Sequence, residues 1–410
     1  MRFIIIFLIF SNWLLAENSL DSLDTKLASA KGLHKYEILR TLTISSRELD
    51  APRSLTYAIR QKIVADSIGQ ASFQMDAYKN LAIAWFKNGF YDFSKNEIEF
   101  LRSMYEKAKL PKQIARIDII LGDIYMEEQN YTASYNQYLR ALKYYKDQKD
   151  QLVIADIFLK LGKLALAEGK YKNAEQFFSN ANQLFREKKN KVKEAVVYQE
   201  LAYLALEEGK YDEAYYYFTF AINRYENELL IDQMVNLAIE RSKIGLLLDE
   251  KDEDVKLLQR YYKLMDKTGS KKNMVLLLLR LHEINIKDKN NFYLKSLEKL
   301  LDEVPLSEFS LNLNHELHNF YQQIGDKEKA DKYWKDYWNQ KLKLRERDKK
   351  SFQQASELYE KISEKHIAEK EILEKEVKRN VAIWVIILIV LWGIIFPVIK
   401  KKYLKKELEV

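Results

Sequence analysis

The chain has no cysteine, and its 410 residues include only 4 prolines and 11 glycines. Without cysteine there is no disulfide framework, thiol nucleophile, cysteine-ligated metal or Fe–S cluster. A lipid anchor of the bacterial lipoprotein type is excluded for the same reason. The poverty in turn-formers excludes collagen-like, low-complexity and many-turned β architectures. A predominance of one charge is also missing. The 67 basic and 60 acidic residues leave a net charge of +7, so no nucleic-acid patch is implied. Apolar residues make up 47% and charged residues 31% of the chain, and with so few turn-formers an all-α protein is predicted.

The two ends carry apolar runs. Met1 to Ala16, MRFIIIFLIFSNWLLA, has one basic residue, an apolar stretch too short to span a bilayer comfortably and a small residue at its close. It is expected to be a secretory signal peptide cut after Ala16, with an uncleaved anchor as the alternative. Val381 to Ile399 is free of charge throughout, and at about 1.5 Å per residue its length matches the hydrocarbon thickness of a bilayer. Lys400, Lys401, Lys402, Lys405 and Lys406 follow it. That cluster marks the cytoplasmic side, so 400–410 is predicted to be a basic cytoplasmic tail. The expected location is the cytoplasmic (inner) membrane of a bacterium, with 17–380 periplasmic or extracytoplasmic.

Between these ends lies an internal repeat. Leu81, Leu121, Leu161 and Leu201 are evenly spaced, each followed by Ala82, Gly122, Gly162 or Ala202. Tyr91, Tyr131, Tyr171 and Tyr211 keep the interval, as do the small residues Ser94, Ser134, Ala174 and Ala214. Ile98, Tyr138, Phe178 and Phe218 supply bulk at one further position, and Leu101, Ala141, Ala181 and Ala221 close the register. Leucine with a small neighbour lets one helix press closely on the next. Gly89, Gln129, Gly169 and Gly209 mark the turn, where glycine relieves a left-handed conformation. Each unit predicts a helix–turn–helix that cannot bury its own apolar face, so neighbours must stack.

The pattern resembles the tetratricopeptide repeat, best in LGKLALAEGKYKNAEQFFSNA (Leu161–Ala181) and LAYLALEEGKYDEAYYYFTFA (Leu201–Ala221). The family's unit is about 34 residues, so a period of 40 implies longer helices. The resemblance implies a TPR-like helical-hairpin solenoid of about seven pairs. Residues 17–74 hold N-terminal helices with a degenerate repeat, 75–228 four clear repeats, and 229–344 degenerate repeats and a terminal one. A charged stalk helix, 345–380, leads to the transmembrane helix. Phe352, Ala355, Tyr359 and Ile362 keep heptad spacing there, so a short parallel homodimer through the stalk is one expectation.

In this family the first helix of each pair lines a groove. By register the resemblance assigns to it Lys79, Ile83 and Phe86; Arg116, Ile119, Asp123 and Met126; Leu159, Lys163 and Leu166; and Val196, Gln199 and Tyr203. About half of these are expected to face the groove. Lys79 and Asn80 hint at the family's clamp for peptide C-termini, but Ile83 and Asp123 break that set. A groove of mixed apolar and charged character suits a peptide or helix ligand.

Catalytic chemistry finds little to stand on. His315 and His318 lie three apart, not four as a zinc-protease motif needs, and read as a polar helix face. No Gly-rich phosphate loop, Gly-x-Ser-x-Gly elbow or kinase motif occurs. Asn130-Tyr131-Thr132 fits the glycosylation pattern, which matters only in a eukaryotic secretory route. The expectation is a non-enzymatic, membrane-anchored protein-binding module without cofactor or metal, acting as an envelope scaffold or adaptor. The order of segments also resembles the sensory half of TPR sensor histidine kinases and membrane-tethered regulators, whose output domain follows the membrane helix. The alternative is therefore the sensory part of a receptor with its output missing or on a separate protein.

Overall fold

In a computed structural model the chain forms two compact units, Met1–Ser351 and Phe352–Val410. The described residues are 22–47, 50–268, 271–284, 292–301, 308–323 and 325–350, with Gln353 and Glu357. The proposed signal peptide, the stalk seam beyond 350, the apolar run 381–399 and the tail lie outside them. Among the described residues no helix is long and apolar enough to cross a membrane.

Every described element is helical. A short α1 (22–27) precedes α2 (Gly32–Ser46) and α3 (Ala51–Ile68). Then come α4 (Ala71–Lys87), α5 (Tyr91–Lys107), α6 (Pro111–Glu127), α7 (Tyr131–Asp147), α8 (Gln151–Ala167) and α9 (Tyr171–Glu187). The array continues through α10 (Lys191–Glu207), α11 (Tyr211–Asn227), α12 (Ile231–Gly245), α13 (Lys251–Thr268), α14 (Lys271–Ile284), α15 (Phe292–Leu301), α16 (Glu308–Gln323) and α17 (327–350). Consecutive helices pack as antiparallel pairs: α2 on α3, α4 on α5, and so on. First helices of adjacent pairs also meet directly, as in α2–α4, α8–α10 and α12–α14.

Helix starts are evenly spaced from Ala51 through Ala71 and Tyr91 to Lys271, at half the period visible in the sequence. The turns explain this regularity. Gly89, Lys109, Gln129, Lys149, Gly169, Lys189, Gly209, Leu229 and Asp249 all have positive φ and keep the same even spacing. Most close with one pair of hydrogen bonds. In the turn after α8, Gly169 N–H donates to Leu166 O at 2.9 Å and Lys170 N–H to Ala165 O at 2.8 Å, the Schellman arrangement of a left-handed helix end. The next residue is already the N-cap of the following helix. Asn130, Asp150 and Asn190 cap theirs by accepting from the amide three residues on, at 3.2, 3.4 and 3.1 Å.

The repeat's small positions let helices touch. A Cβ on Gly122 would lie 2.4 Å from the Tyr138 ring, and one on Gly162 2.4 Å from the Phe178 ring. Ser94 and Ser134 add a bond at their position: each hydroxyl donates to the first helix, to Ala82 O at 2.7 Å and Gly122 O at 2.8 Å. One apolar cluster runs from Ala195 in α10 to Tyr333 in α17, and smaller ones bind successive pairs toward the N-terminus.

Candidate functional site

A first helix spends one face on its own second helix, through Leu161, Gly162 and Ala165 in α8. Residues three, four and seven apart share a helix face. The registers of Arg116, Ile119 and Asp123 therefore form a stripe beside the face packed on the second helix, and each returns in the next repeat.

Two cavities open on that stripe. One of about 360 Å³ lies between α6, α8 and α10, with Ile119, Val153, Ile157 and Leu159 as its apolar lining and Asp156, Lys160, Lys163 and Lys193 around it. The other, about 420 Å³, lies between α10, α12 and α14, lined by Gln199, Tyr203, Leu237, Ile239, Leu276 and Leu279 with Glu240, Lys243, Arg280 and Glu283. The registers coincide: Ile119, Leu159, Gln199, Ile239 and Leu279 are one column, and Lys163, Tyr203, Lys243 and Glu283 another.

Charges on this face are tied between neighbouring first helices. Lys160 Nζ donates to Asp123 at 2.7 Å, Lys193 to Asp156 at 2.6 Å and Lys163 to Glu200 at 2.7 Å, all with the same separation in sequence. Asp123 also accepts from Tyr138 Oη at 2.6 Å. Burial, then the Asp123 carboxylate, pushes the Tyr138 phenol well above its usual range, so it stays a donor. Burial does the same to Tyr203, with help from Glu240 and Glu200. The Lys160–Asp123 and Lys193–Asp156 pairs are part-exposed on both sides, so they contribute little stability each, whereas Glu200 of the third pair is buried. Their effect is to hold the rims while the apolar column stays open between them.

At the N-terminal end Asp76 is a hub. It accepts from Tyr36 Oη and Arg40 Nε at 2.9 Å each and from Lys79 Nζ at 2.7 Å. Burial would raise this carboxyl, but the bonds from Lys79, Tyr36 and Arg40 outweigh burial and hold it below the usual carboxylate range.

Of the sequence-assigned residues, Ile119, Leu159 and Lys163 meet in the smaller cavity, and Gln199 and Tyr203 in the larger. Arg116 is exposed, and Ile83 and Val196 are half-buried. Asp123 serves as a rung, and Lys79 is held by Asp76. Phe86, Met126 and Leu166 sit one turn further along and pack into the apolar clusters. Not assigned from sequence were Asp156, Lys160 and Lys193, and the whole contribution of α12 and α14. The leucine–small and glycine–tyrosine signature fades there, but counting on by the same interval finds Asn236, Ile239 and Lys243, then Leu276, Leu279 and Glu283.

The histidines lie elsewhere. His318 is buried, with Nδ1 2.9 Å from Ala330 O and its ring stacked on Trp334, while His315 contacts Asn319 at 3.3 Å. Among the described residues no group of three or more Asp, Glu and His side chains is placed to hold a metal ion.

No protein-family model matches the chain. No curated protein matches it in sequence. Solved structures do resemble it. Aspartyl phosphate phosphatase F from Bacillus subtilis aligns at 11% identity over 75% of this chain and 88% of its own, with a TM-score of 0.50. The apo form of the quorum sensor NprR from B. thuringiensis aligns at 12% identity over 79% and 98%, with a TM-score of 0.48. A Rap protein complexed with competence and sporulation factor aligns at 16% identity over 81% and 93%, with a TM-score of 0.46. At these identities the likeness concerns the fold, and the fold of this chain is a tetratricopeptide-like array of helix pairs.

Proposed function

We propose that the first-helix face of α6 to α14 binds a peptide, or a peptide-like segment of a protein partner, and that it does so without catalysis. The observation that carries this is the coincidence of both cavities with one register. An apolar column (Ile119, Leu159, Ile239, Leu279) runs between charged rims, which offers side-chain pockets and polar contacts to an extended or helical ligand. In the same proposal the module is an envelope scaffold or adaptor. It lies outside the cytoplasmic membrane and is held there by 381–399. The support for that placement is the charge-free run with its lysine cluster at one end.

The binding claim is tested by selecting peptides from a random library on the full chain in detergent, then measuring their affinity for Ile119→Glu and Ile239→Glu. A carboxylate forced into an apolar pocket should weaken binding at least tenfold, about 1.4 kcal/mol. Tyr216→Glu, at an exposed position on α11, should leave affinity unchanged. Selected peptides that bind both groove variants as well as the parent would contradict the proposal. Placement is tested by protease treatment of intact spheroplasts. Residues 22–350 should be cut and the tail epitope protected, and the reverse pattern overturns the orientation.

A further inference from the structure

The two edges of the helix array are not alike. Turns from the first to the second helix of a pair lie on one edge, and turns between pairs lie on the other. From α4 to α12 the left-handed position is Gly89, Gln129, Gly169 and Gly209 on the first edge, but Lys109, Lys149, Lys189 and Leu229 on the second; Gly69 and Asp249, at the neighbouring turns, depart from this division. A side chain in that conformation is disfavoured relative to glycine by roughly 1 kcal/mol. The second edge thus keeps three strained lysines where glycine would fit better.

Charge follows the same division. Segments 106–112, 146–152 and 186–192 of the second edge hold nine Lys and Arg against four Asp and Glu, whereas the next segment of that edge, 226–232, carries Glu226, Glu228 and Asp232 and no basic residue. Segments 126–132, 166–172 and 206–212 of the first edge hold three against six. Apolar side chains stand out among the lysines: Leu110 is 39% exposed, Leu152 42% and Val192 36%.

We propose that this second edge, from α5 to α10, is a contact surface for an anionic lipid bilayer. The lysines meet the headgroup charge, and the aliphatic row, one residue or so per repeat, enters the boundary of the acyl layer. A purely ionic partner such as a nucleic acid makes no use of exposed leucine and valine. The inference stands on the edge alone, needs neither the peptide groove nor the run 381–399, and places the groove's flank at a membrane.

The absence of cysteine makes the test clean. A single cysteine at Gln148, exposed on this edge, carries a fluorophore, and one at Glu207, exposed on the opposite edge, is the control. The full chain is reconstituted in vesicles of phosphatidylcholine with or without phosphatidylglycerol, with a headgroup-nitroxide lipid as quencher. The label at 148 should be quenched several-fold more than that at 207 when phosphatidylglycerol is present. It should be released in pure phosphatidylcholine, and at salt concentrations that shorten the Debye length to about 3 Å. Combining Lys109→Gly, Lys149→Gly and Lys189→Gly removes three charges while relaxing three turns, so the variant should fold at least as firmly. Each lysine near such a surface contributes about fivefold to docking, so the ratio of docked to released edge in the triple variant should fall on the order of a hundredfold. Equal quenching at both edges, quenching that survives the triple variant, or none with phosphatidylglycerol overturns the proposal. The last result is the one an acidic protein partner would give.

Discussion

Gly162 meets the ring of Phe178 with no room for a methyl group, and Phe178 is fully buried. Gly162→Ala should therefore cost about 2 kcal/mol, the usual penalty for overpacking a well-filled core. Chemical denaturation checks this, and adding Phe178→Leu should restore part of the loss. Asp76 has a different liability. Its carboxyl is held below the ordinary value near 3.9. It thus contributes stability that is fully present above that value and is lost as pH falls through the lower, folded one. Glu298 acts in the same direction: burial would raise it, but bonds from Tyr321, Tyr333 and Lys329 prevail. The midpoint of denaturation should drop as pH falls below about 4, and more shallowly in Asp76→Asn. A parallel pH profile for that variant would remove Asp76 from this role. The small residue at position 162 was legible in the sequence because it recurs with the leucine. The Asp76 hub was not, because its partners come from α2 and from α4 itself, and only folding brings Tyr36 and Arg40 to it.

Among the helices, the governing feature is the turn that recurs at one constant interval. From α4 to α12 glycine marks only every second turn, where Gly89, Gly169 and Gly209 advertise a left-handed residue. Lys109, Lys149, Lys189 and Leu229 adopt the same conformation without any compositional sign, so the visible period was twice the structural one. Leu229→Gly should stabilise the chain by about 0.5–1 kcal/mol, the left-handed penalty less the added freedom of glycine in the unfolded state. The Leu229 side chain is 65% exposed, so little burial is lost to offset the gain. Thermal melting reads the effect, and a lowered midpoint would mean that the turn is held by contacts of the leucine. The register survives in α12 to α15 although the leucine–small signature does not. Packing there uses other residues: Arg241 and Asp254 form a buried pair at 2.7 Å beside Gly245, whose missing side chain makes room for the carboxylate. A motif search stops at that point, but helix spacing does not.

Across the whole array, one continuous face joins both cavities and carries the functional proposal. Each repeat contributes a few residues, so affinity is built along the array rather than at one catalytic point. The sequence placed Ile119, Leu159, Lys163, Gln199 and Tyr203 on that face through the family's register. It could not separate them from Phe86, Met126 and Leu166, which pack against the apolar clusters one turn further along and line neither cavity. That distinction depends on how closely neighbouring first helices approach. The most direct test is to map where a library-selected peptide carrying a photoreactive group cross-links to the full chain. Cross-links should fall on α6, α8, α10, α12 and α14, concentrated around Ile119, Leu159, Ile239 and Leu279. Cross-links on the second helices α7, α9 and α11 instead would contradict the assignment of the groove.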